Sequence, residues 1–515
     1  MLGLLVAEYK NMKRIGFFRI ETTIALFVSV VTIIGCAVGP DYRTPEAPTT
    51  KSYTATALPA KTQSAPGPAG TAQRFFSGEE IPGQWWTLFH SRALDKLIKQ
   101  ALSDNPTLAA AEATLRQSQE TLNALVGSVL YPKVDASASV TREKISGAAI
   151  GQPNVRFSPF TLYNASVNVS YALDFFGGAR RELEALESQV DVQRFLLEGA
   201  YLTITSNIVT TAVKEASLRA QIQALQEIME AQQKQFDLVQ LQFKLGGAAR
   251  TDVLAQRTQL AQTRATLPPL EMELEQTRHL LAVLAGRLPS ESAALPEFSL
   301  EGLQLPAELP VSLPSLLVRQ RPDIRATEAL LHAASAQVGV ATANQYPQVN
   351  LSGSLGSIAT SSSNLFSSGS GVWSFGGGLL QPLFYGGQLS AQRRAAIAAY
   401  DQAQAQYQAA VLQAFQNVAD VLRALDSDAL TLNAQADADA AAHDSLDLTQ
   451  KQFQLGAVSY LSLLNAERQY QQTKIGLIQA QAARYADTAA LFQALGGGWW
   501  NRDPLAGVAA KPSKE

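Results

Sequence analysis

The sequence is short of nearly everything that side-chain catalysis depends on. It holds a single cysteine, Cys36, in 515 residues, which excludes a disulfide framework and a thiolate metal cluster. The four histidines (His90, His279, His332 and His443) are scattered and never stand at ligand spacing, so metal chemistry and histidine catalysis have no foothold. No phosphate loop, nucleophile elbow or paired His/Glu helix motif occurs. Surplus basic charge is also missing: a formal net charge of −3 with 17% charged residues leaves no basic face for nucleic acid. Proline is absent between Asp174 and Leu267 and again between Leu383 and Asp503, which leaves both stretches free to run as uninterrupted helix.

What is present begins with an export address. Lys13, Arg14 and Arg19 form a basic region, and Met12 just ahead of them is an alternative start to Met1. The run from Thr22 to Ile34 is apolar apart from Thr and Ser, too short to cross about 30 Å of hydrocarbon as a helix, and fits a signal segment. Gly35 directly before the sole cysteine resembles a bacterial lipobox, so Cys36 is expected to carry covalent lipid, palmitate included, as the first residue of the mature chain. The alternative is a buried structural cysteine. Ala37 rather than Asp after it implies, by the same resemblance, sorting to the outer membrane. Residues from Gly39 to about Gly70 are rich in Pro, Thr, Ala and Ser and are expected to be extended and partly disordered.

The rest is one unit written twice. Asp237-Leu-Val-Gln240 and Gln242-Phe-Lys-Leu-Gly246 recur as Asp447-Leu-Thr-Gln450 and Gln452-Phe-Gln-Leu-Gly456, and Leu254, Gln259, Leu281 and Gly286 keep partners at Leu464, Gln469, Leu491 and Gly496. Upstream, Tyr131-Pro132 recurs as Tyr346-Pro347, and Phe176-Gly177-Gly178 as Tyr385-Gly386-Gly387, with a shorter segment between the landmarks in the second copy. A shortened segment there is what a loop tip tolerates.

Each copy has the same order of patterns. A helix comes first, Leu94 to about Tyr131 broken at Asn105-Pro106, then Leu316 to Tyr346 broken at Arg321-Pro322. A pair of period-2 runs follows. In the first copy Val134, Ala136, Ala138 and Val140 alternate with polar residues, as do Tyr163, Ala165, Val167, Val169 and Tyr171. In the second copy Val349, Leu351, Gly353 and Leu355 precede a Ser/Gly-rich tip at Gly353–Gly371, and Trp373, Phe375, Gly377 and Leu379 follow it. Long helical patterns then run from Arg180 to Leu245 and from Gln388 to Leu455, each roughly 100 Å at helical rise. Tyr407, Val411, Ala414, Val418, Val421 and Leu425 step by four and three like a coiled-coil seam. Gly246-Gly247 and Gly456 turn these into returning helices. Pro268-Pro269 within the first returning helix is expected to bend it.

Strands apolar on one face and Ser/Asn/Gly on the other fit a membrane barrel with a wet lumen. The alternative is an ordinary half-buried sheet. The chain has only four such strands, whereas bacterial barrels start at eight, so two, three or four copies would be needed to close one.

Several blocks carry a family resemblance: Gly35-Cys-Ala-Val-Gly-Pro-Asp-Tyr42, Trp85-Trp-Thr-Leu-Phe89, Tyr171-Ala-Leu-Asp-Phe-Phe-Gly177 with Arg180-Arg181, Arg321-Pro-Asp-Ile-Arg325 through Ala336-Gln-Val-Gly339, and Gln381-Pro-Leu-Phe384-Tyr-Gly-Gly387. Together these resemble outer membrane factors of the NodT/OprM type, TolC-like export ducts, over essentially the whole mature chain. The resemblance implies a homotrimer with a mixed α and transmembrane-β fold: a twelve-stranded outer-membrane barrel, four strands per chain, continued by a periplasmic α-helical coiled-coil barrel. It implies a passive channel without cofactor beyond the lipid on Cys36, not an enzyme. The partners would be a periplasmic adaptor (a membrane fusion protein), an inner-membrane pump of the RND type and outer-membrane lipid, with no nucleic acid. Substrates stay open between drugs, metals, solvents and proteins. The expected organisation is a signal peptide (1–35), a lipidated extended and equatorial segment (36–91), a first repeat (92–286), a Pro-rich equatorial linker (287–311), a second repeat (312–497) and a tail (498–515). A lipid-anchored periplasmic coiled-coil scaffold is the rival; it explains the helices and Cys36 but not the period-2 runs.

A passive duct works through a gate at its helix tips. By the resemblance, Asp252, six residues past Gly246, matches a position that helps hold the gate shut. It also suits a helix N-terminus, where a carboxylate contributes about 0.3–1 kcal/mol, and the two roles are compatible. In the second copy Leu461 matches an apolar gate position or simple coiled-coil packing, while Ser462 and Asn465 stand where relatives often carry aspartates. Leu245, Gly246, Gly247, Leu455, Gly456 and Ala457 are expected to form the tips that meet the adaptor, the glycines also permitting turns with positive φ.

Overall fold

The computed structural model describes residues 37–151 and 153–502; the signal segment, Cys36 and residues 503–515 lie outside the described residues. In chain order the elements are β1 (Arg74–Ser77), α1 (Arg92–Asp104), α2 (Pro106–Leu130), β2 (Lys133–Glu143), β3 (Phe160–Leu173), α3 (Gly178–Lys244), α4 (Arg250–Leu284), β4 (Glu308–Val311), α5 (Pro314–Gln320), α6 (Pro322–Ala343), β5 (Gln348–Ala359), β6 (Gly371–Leu380), α7 (Gln388–Gln454) and α8 (Tyr460–Ala494), with short 3-10 turns between some of them. The duplication extends to helix length: α3 and α7 each have 67 residues, and α4 and α8 each have 35. Among the described residues, no helix is long and apolar enough to cross a membrane.

The chain divides into two compact units. The first takes the residues up to Thr44, Arg116–Val192 and Glu328–Gln406. Its centre is an antiparallel four-stranded sheet in the order β2-β3-β5-β6. Each half of the duplicated sequence supplies one hairpin, and the hairpins join through β3 and β5, with Val167 opposite Leu355. Register and the two-residue period place Val134, Val169, Leu355, Trp373 and Phe375 on one face, where Trp373 is 79% and Phe375 76% exposed. The other face carries the row Asp135, Asn168, Ser354 and Ser374, one residue from each strand. Ser137 and Ser166 hydroxyls meet there at 3.0 Å, and Asn168 donates to Ser137 at 3.1 Å. The expected Ser/Gly tip at Gly353–Gly371 is narrower than the composition suggests, because β5 continues to Ala359. Glycine and serine remain compatible with strand once a neighbour supplies the ladder of hydrogen bonds.

At the base of the sheet, the motif residues tie the segment at Asp41–Tyr42 to the start of α3 and to α6. Arg180 pairs with Asp174 at 3.3 Å, and the buried Arg181 reaches Asp41 at 2.6 Å and Glu184 at 2.7 Å. Tyr42 stacks on His332 with ring centres 4.1 Å apart. Gly339 is needed for closeness: a Cβ there would lie 2.8 Å from Arg181 Cγ.

The second unit takes Pro45–Leu115, Gln193–Thr327 and the residues from Tyr407 on. The Pro-rich stretches are more ordered than their composition implies. β1 and β4 pair in parallel, Phe75 opposite Leu309, which places a strand inside the expected 287–311 linker. Within the segment read as partly disordered, Tyr53 donates to Ser312 O at 2.8 Å, and buried Thr62 and Gln73 exchange hydrogen bonds. Fixed partners supplied by distant helices offset the entropy that low hydrophobicity leaves uncovered. On α7 the buried seam runs through Tyr407, Ala414, Val418, Leu422, Leu425, Ala429 and Leu432; Leu422 takes the place expected of Val421, because a 3.6-residue turn drifts against a strict seven-residue repeat. α4 runs through Pro268 and Pro269 without a break in the helix.

Candidate functional site

The two helix-to-helix turns of the second unit end alike. After α3, Gly246 N–H bonds Phe243 O at 3.0 Å and Gly247 N–H bonds Gln242 O at 2.8 Å. After α7, Gly456 N–H bonds Phe453 O and Ala457 N–H bonds Gln452 O, both at 2.9 Å. This is the Schellman pattern, which needs a left-handed residue, and Gly246 and Gly456 have φ of +78° and +74°. A turn so closed leaves its last apolar side chain outside: Leu245 is 78% and Leu455 85% exposed. No Cβ added at Gly246 or Gly456 would meet anything within 4 Å, so the glycines serve the backbone and leave the surface open.

Just inside the turns one apolar cluster joins both copies: Val239, Tyr460, Leu463 and Leu464 are buried, with Val253 and Phe453 packed against them. Tyr460 donates to Gln256, and Gln256 donates to Gln232 O at 3.2 Å. Further along α8, Arg468 donates to Gln259 at 2.9 Å. Sequence reading missed Glu467. It is 6% exposed, its Oε2 has no hydrogen-bond partner, and burial pushes its carboxyl up to about 7. It lines a cavity of about 170 Å³ with Gln232, whose buried amide is also unpartnered, and with Glu227, Tyr470 and Lys474. The available signal was a single glutamate at a position that the heptad pattern assigns to the seam.

The residues singled out from the sequence fall into two groups. Leu245, Gly246, Gly247, Leu455, Gly456 and Ala457 stand together as the turns. Leu461, Ser462 and Asn465 are exposed on the first turns of α8, Leu461 at 62%. Asp252 is half-buried, and its carboxylate accepts the N–H of Ala249 at 3.1 Å. In the second copy the work passes to the N-cap: Ser459 Oγ accepts the N–H of Ser462 at 3.3 Å and meets the Ser462 hydroxyl at 3.0 Å. Cys36 lies outside the described residues.

Farther from the turns, three buried arginines fasten connecting segments and a helix end. Arg484 of α8, wholly buried, donates to Ala69 O at 2.6 Å, Thr71 O at 3.1 Å, and Thr62 and Gln73 side chains at 3.2 Å. Burial lowers its pKa, with Asp428 opposing. Asp428 itself is pushed up to about 7 by burial and by its contact with Asp487. Arg278 of α4 pairs with buried Glu215 at 2.6 Å and donates to Ser292 O at 2.7 Å. Arg321, in the Arg-Pro-Asp-Ile-Arg block, grips Asp323 at 3.0 and 2.6 Å and donates to Ala494 O at 2.9 Å, capping the end of α8. These are structural clamps, and none is aimed at an open cleft.

Residues 97–287 and 313–497, the two copies, match the family described as outer membrane efflux protein. The pyoverdine export outer membrane protein OpmQ of Pseudomonas aeruginosa is 30% identical over 422 residues, 81% of this chain and 87% of its own length. A Salmonella typhimurium protein described as a probable outer membrane lipoprotein, SilC, is 29% identical over 426 residues, 81% of this chain and 88% of its own. Among solved structures, the outer-membrane channel OprN aligns with a TM-score of 0.81 at 29% identity, covering 90% of this chain and all of that one.

Proposed function

The chain belongs to the outer membrane efflux protein family, and on that premise we propose that three copies close their sheets into one twelve-stranded barrel continued by a tube of α-helices. The protein is an outer-membrane channel component of a tripartite efflux system, passive and not an enzyme. The observation that carries the assembly is the sheet itself. Its four strands have an exposed apolar face, a polar face of Ser, Asn and Gly with Asp135 in the same row, and two edges, β2 and β6, with no partner strand among the described residues. An open edge in lipid costs several kcal/mol for each unsatisfied group, so closure must come from further copies. Cyclic symmetry then pairs the β6 of one copy with the β2 of the next.

The exposed turns at Leu245–Gly247 and Leu455–Ala457 are the surface for a periplasmic adaptor, and an inner-membrane pump of the RND type supplies the energy. Asp252, with Leu461, Ser462 and Asn465 in the second copy, lies next to these turns and forms the gate. Cys36 is lipidated; the lipobox-like Gly35-Cys36 step and the lipoprotein relative support this. OpmQ is named for pyoverdine, and duct walls of Ala, Gln and Ser carry little to restrict a substrate, so the pump sets the cargo.

Planar-bilayer recording of the detergent-purified protein, with cross-linking to count subunits, tests this reading. Discrete channels from a species of three chains are expected. A monomer without conductance, and without β signal in detergent, would return the protein to a lipid-anchored scaffold.

A further inference from the structure

The polar face of the sheet changes character along its length. Through the middle it is Ser137, Ser166, Asn168, Ser354 and Ser374. At the hairpin ends of β3, β5 and β6 the same face carries Phe160 and Leu162, Ile358 and Val372, beside the polar Ser139, Thr141 and Glu143 of β2. The register fixes this: Phe160 is opposite Glu143, Leu162 opposite Thr141, Ile358 opposite Asn164 and Val372 opposite Gly356. Asn164 stands among them, opposite Ser139, and its Oδ1 is buried without a hydrogen-bond partner.

The hairpin loop 360–370 is drawn to the opposite side. Ser357, on the Trp373 face, donates to Leu365 O and lies 2.6 Å from the Ser370 hydroxyl, and Ser370 donates to Leu365 O at 2.9 Å. That loop is therefore held on the Trp373 side of the sheet.

We propose that Phe160, Leu162, Ile358 and Val372 form an apolar collar at the outer mouth of the pore, a contact for amphipathic and apolar organic solutes. This rests on the channel reading and deepens it by naming the solute class that the exit favours. Eight strands leave an interior that side chains just fill, so a twelve-stranded barrel is wider than its side chains reach. The collar is an apolar arc on β3, β5 and β6 of each copy, interrupted by the polar end of β2, around an open path and not a plug. A hydrated metal ion passes it without gain, whereas a solute with alkyl or aromatic surface is held briefly on the way out.

The test is block of single channels by tetrabutylammonium, with tetramethylammonium as the control of equal charge, in full-length wild type and a Leu162→Ser/Ile358→Ser variant. Tetrabutylammonium block should weaken about tenfold in the variant, the effect of losing roughly two buried methylene groups, and tetramethylammonium should not change. A single Val372→Ser variant in β6 gives a second reading, and a smaller shift of the same sign is expected, should the double variant fail to assemble. Equal tetrabutylammonium block in a conducting wild type and in the variants overturns the collar and leaves the channel standing. A wild type that never conducts overturns the channel reading first, and the collar with it.

Discussion

The carboxylate of Asp252 accepts the backbone N–H of Ala249 at 3.1 Å, three residues back and at the mouth of α4. The matching position in the second copy is Ser462, whose N–H is instead held by the Ser459 hydroxyl. Each copy thus caps its returning helix, one from inside with a charge and one from the N-cap with a neutral group. In the proposed trimer the first repeat brings three charges, and this position in the second brings none.

Asp252→Ala should raise single-channel conductance, while costing about 1 kcal/mol of local helix stability. Asp252→Asn separates the roles, since its amide oxygen can still accept the Ala249 N–H but carries no charge. Conductance raised in both variants assigns the gate to charge; conductance unchanged in both removes Asp252 from the gate.

Replacing Leu455 by Glu, or Leu245 by Glu, should weaken binding of the proposed adaptor at least about tenfold without changing the number of subunits, because each is exposed and packs on little else. Affinity for the purified adaptor, measured by titration, checks this. Unchanged affinity in both would move the docking surface off the turns.

Stability should depend on pH through Glu467. Its folded carboxyl titrates at about 7, above the ordinary 4.5, so the folded state holds its proton more tightly than the unfolded one. The contribution is complete below pH about 4.5 and is lost as pH rises through about 7, on the order of 3 kcal/mol. Asp428, also raised to about 7, acts with the same sign. The pH dependence of the thermal unfolding midpoint between pH 5 and 8 should therefore flatten in Glu467→Gln, and further with Asp428→Asn added. A slope as steep in both as in wild type rules these carboxyls out.

Arg484→Met should free the segment that it holds, leaving the carbonyls of Ala69 and Thr71 without this donor, at a cost of about 3 kcal/mol. Trypsin cleavage at Lys51 and Lys61 should then quicken about a hundredfold. Cleavage at the wild-type rate would show that the strap is held elsewhere.

Cys36→Ala should abolish incorporation of labelled palmitate. Intact mass is the independent check: a wild-type mass equal to the unmodified chain from Met1 or Met12 is incompatible with lipidation.

Much of this was legible in one dimension because it is periodic. The strand alternation, the proline-free helices and the repeat all survive folding, since a two-residue or 3.6-residue period needs only local geometry. Gly246 and Gly456 were legible for the same reason, as a left-handed turn is a property of a few consecutive residues. Glu467, Arg278 and Arg484 were not. Glu467 offers only the weak signal of a charge at a seam position, and the partners that bury the arginines are not sequence neighbours: Glu215 lies 63 residues from Arg278, and Ala69 lies 415 from Arg484.

The sequence alone therefore determined the long elements and their duplication, because each follows from local sterics and patterning. Only the tertiary structure decided the pairing of β3 with β5 across the two copies, the strand pair hidden in the Pro-rich segments, and the division of labour between Asp252 and Ser459. Those depend on which groups meet in space, where hydrogen bonding and desolvation act regardless of distance along the chain.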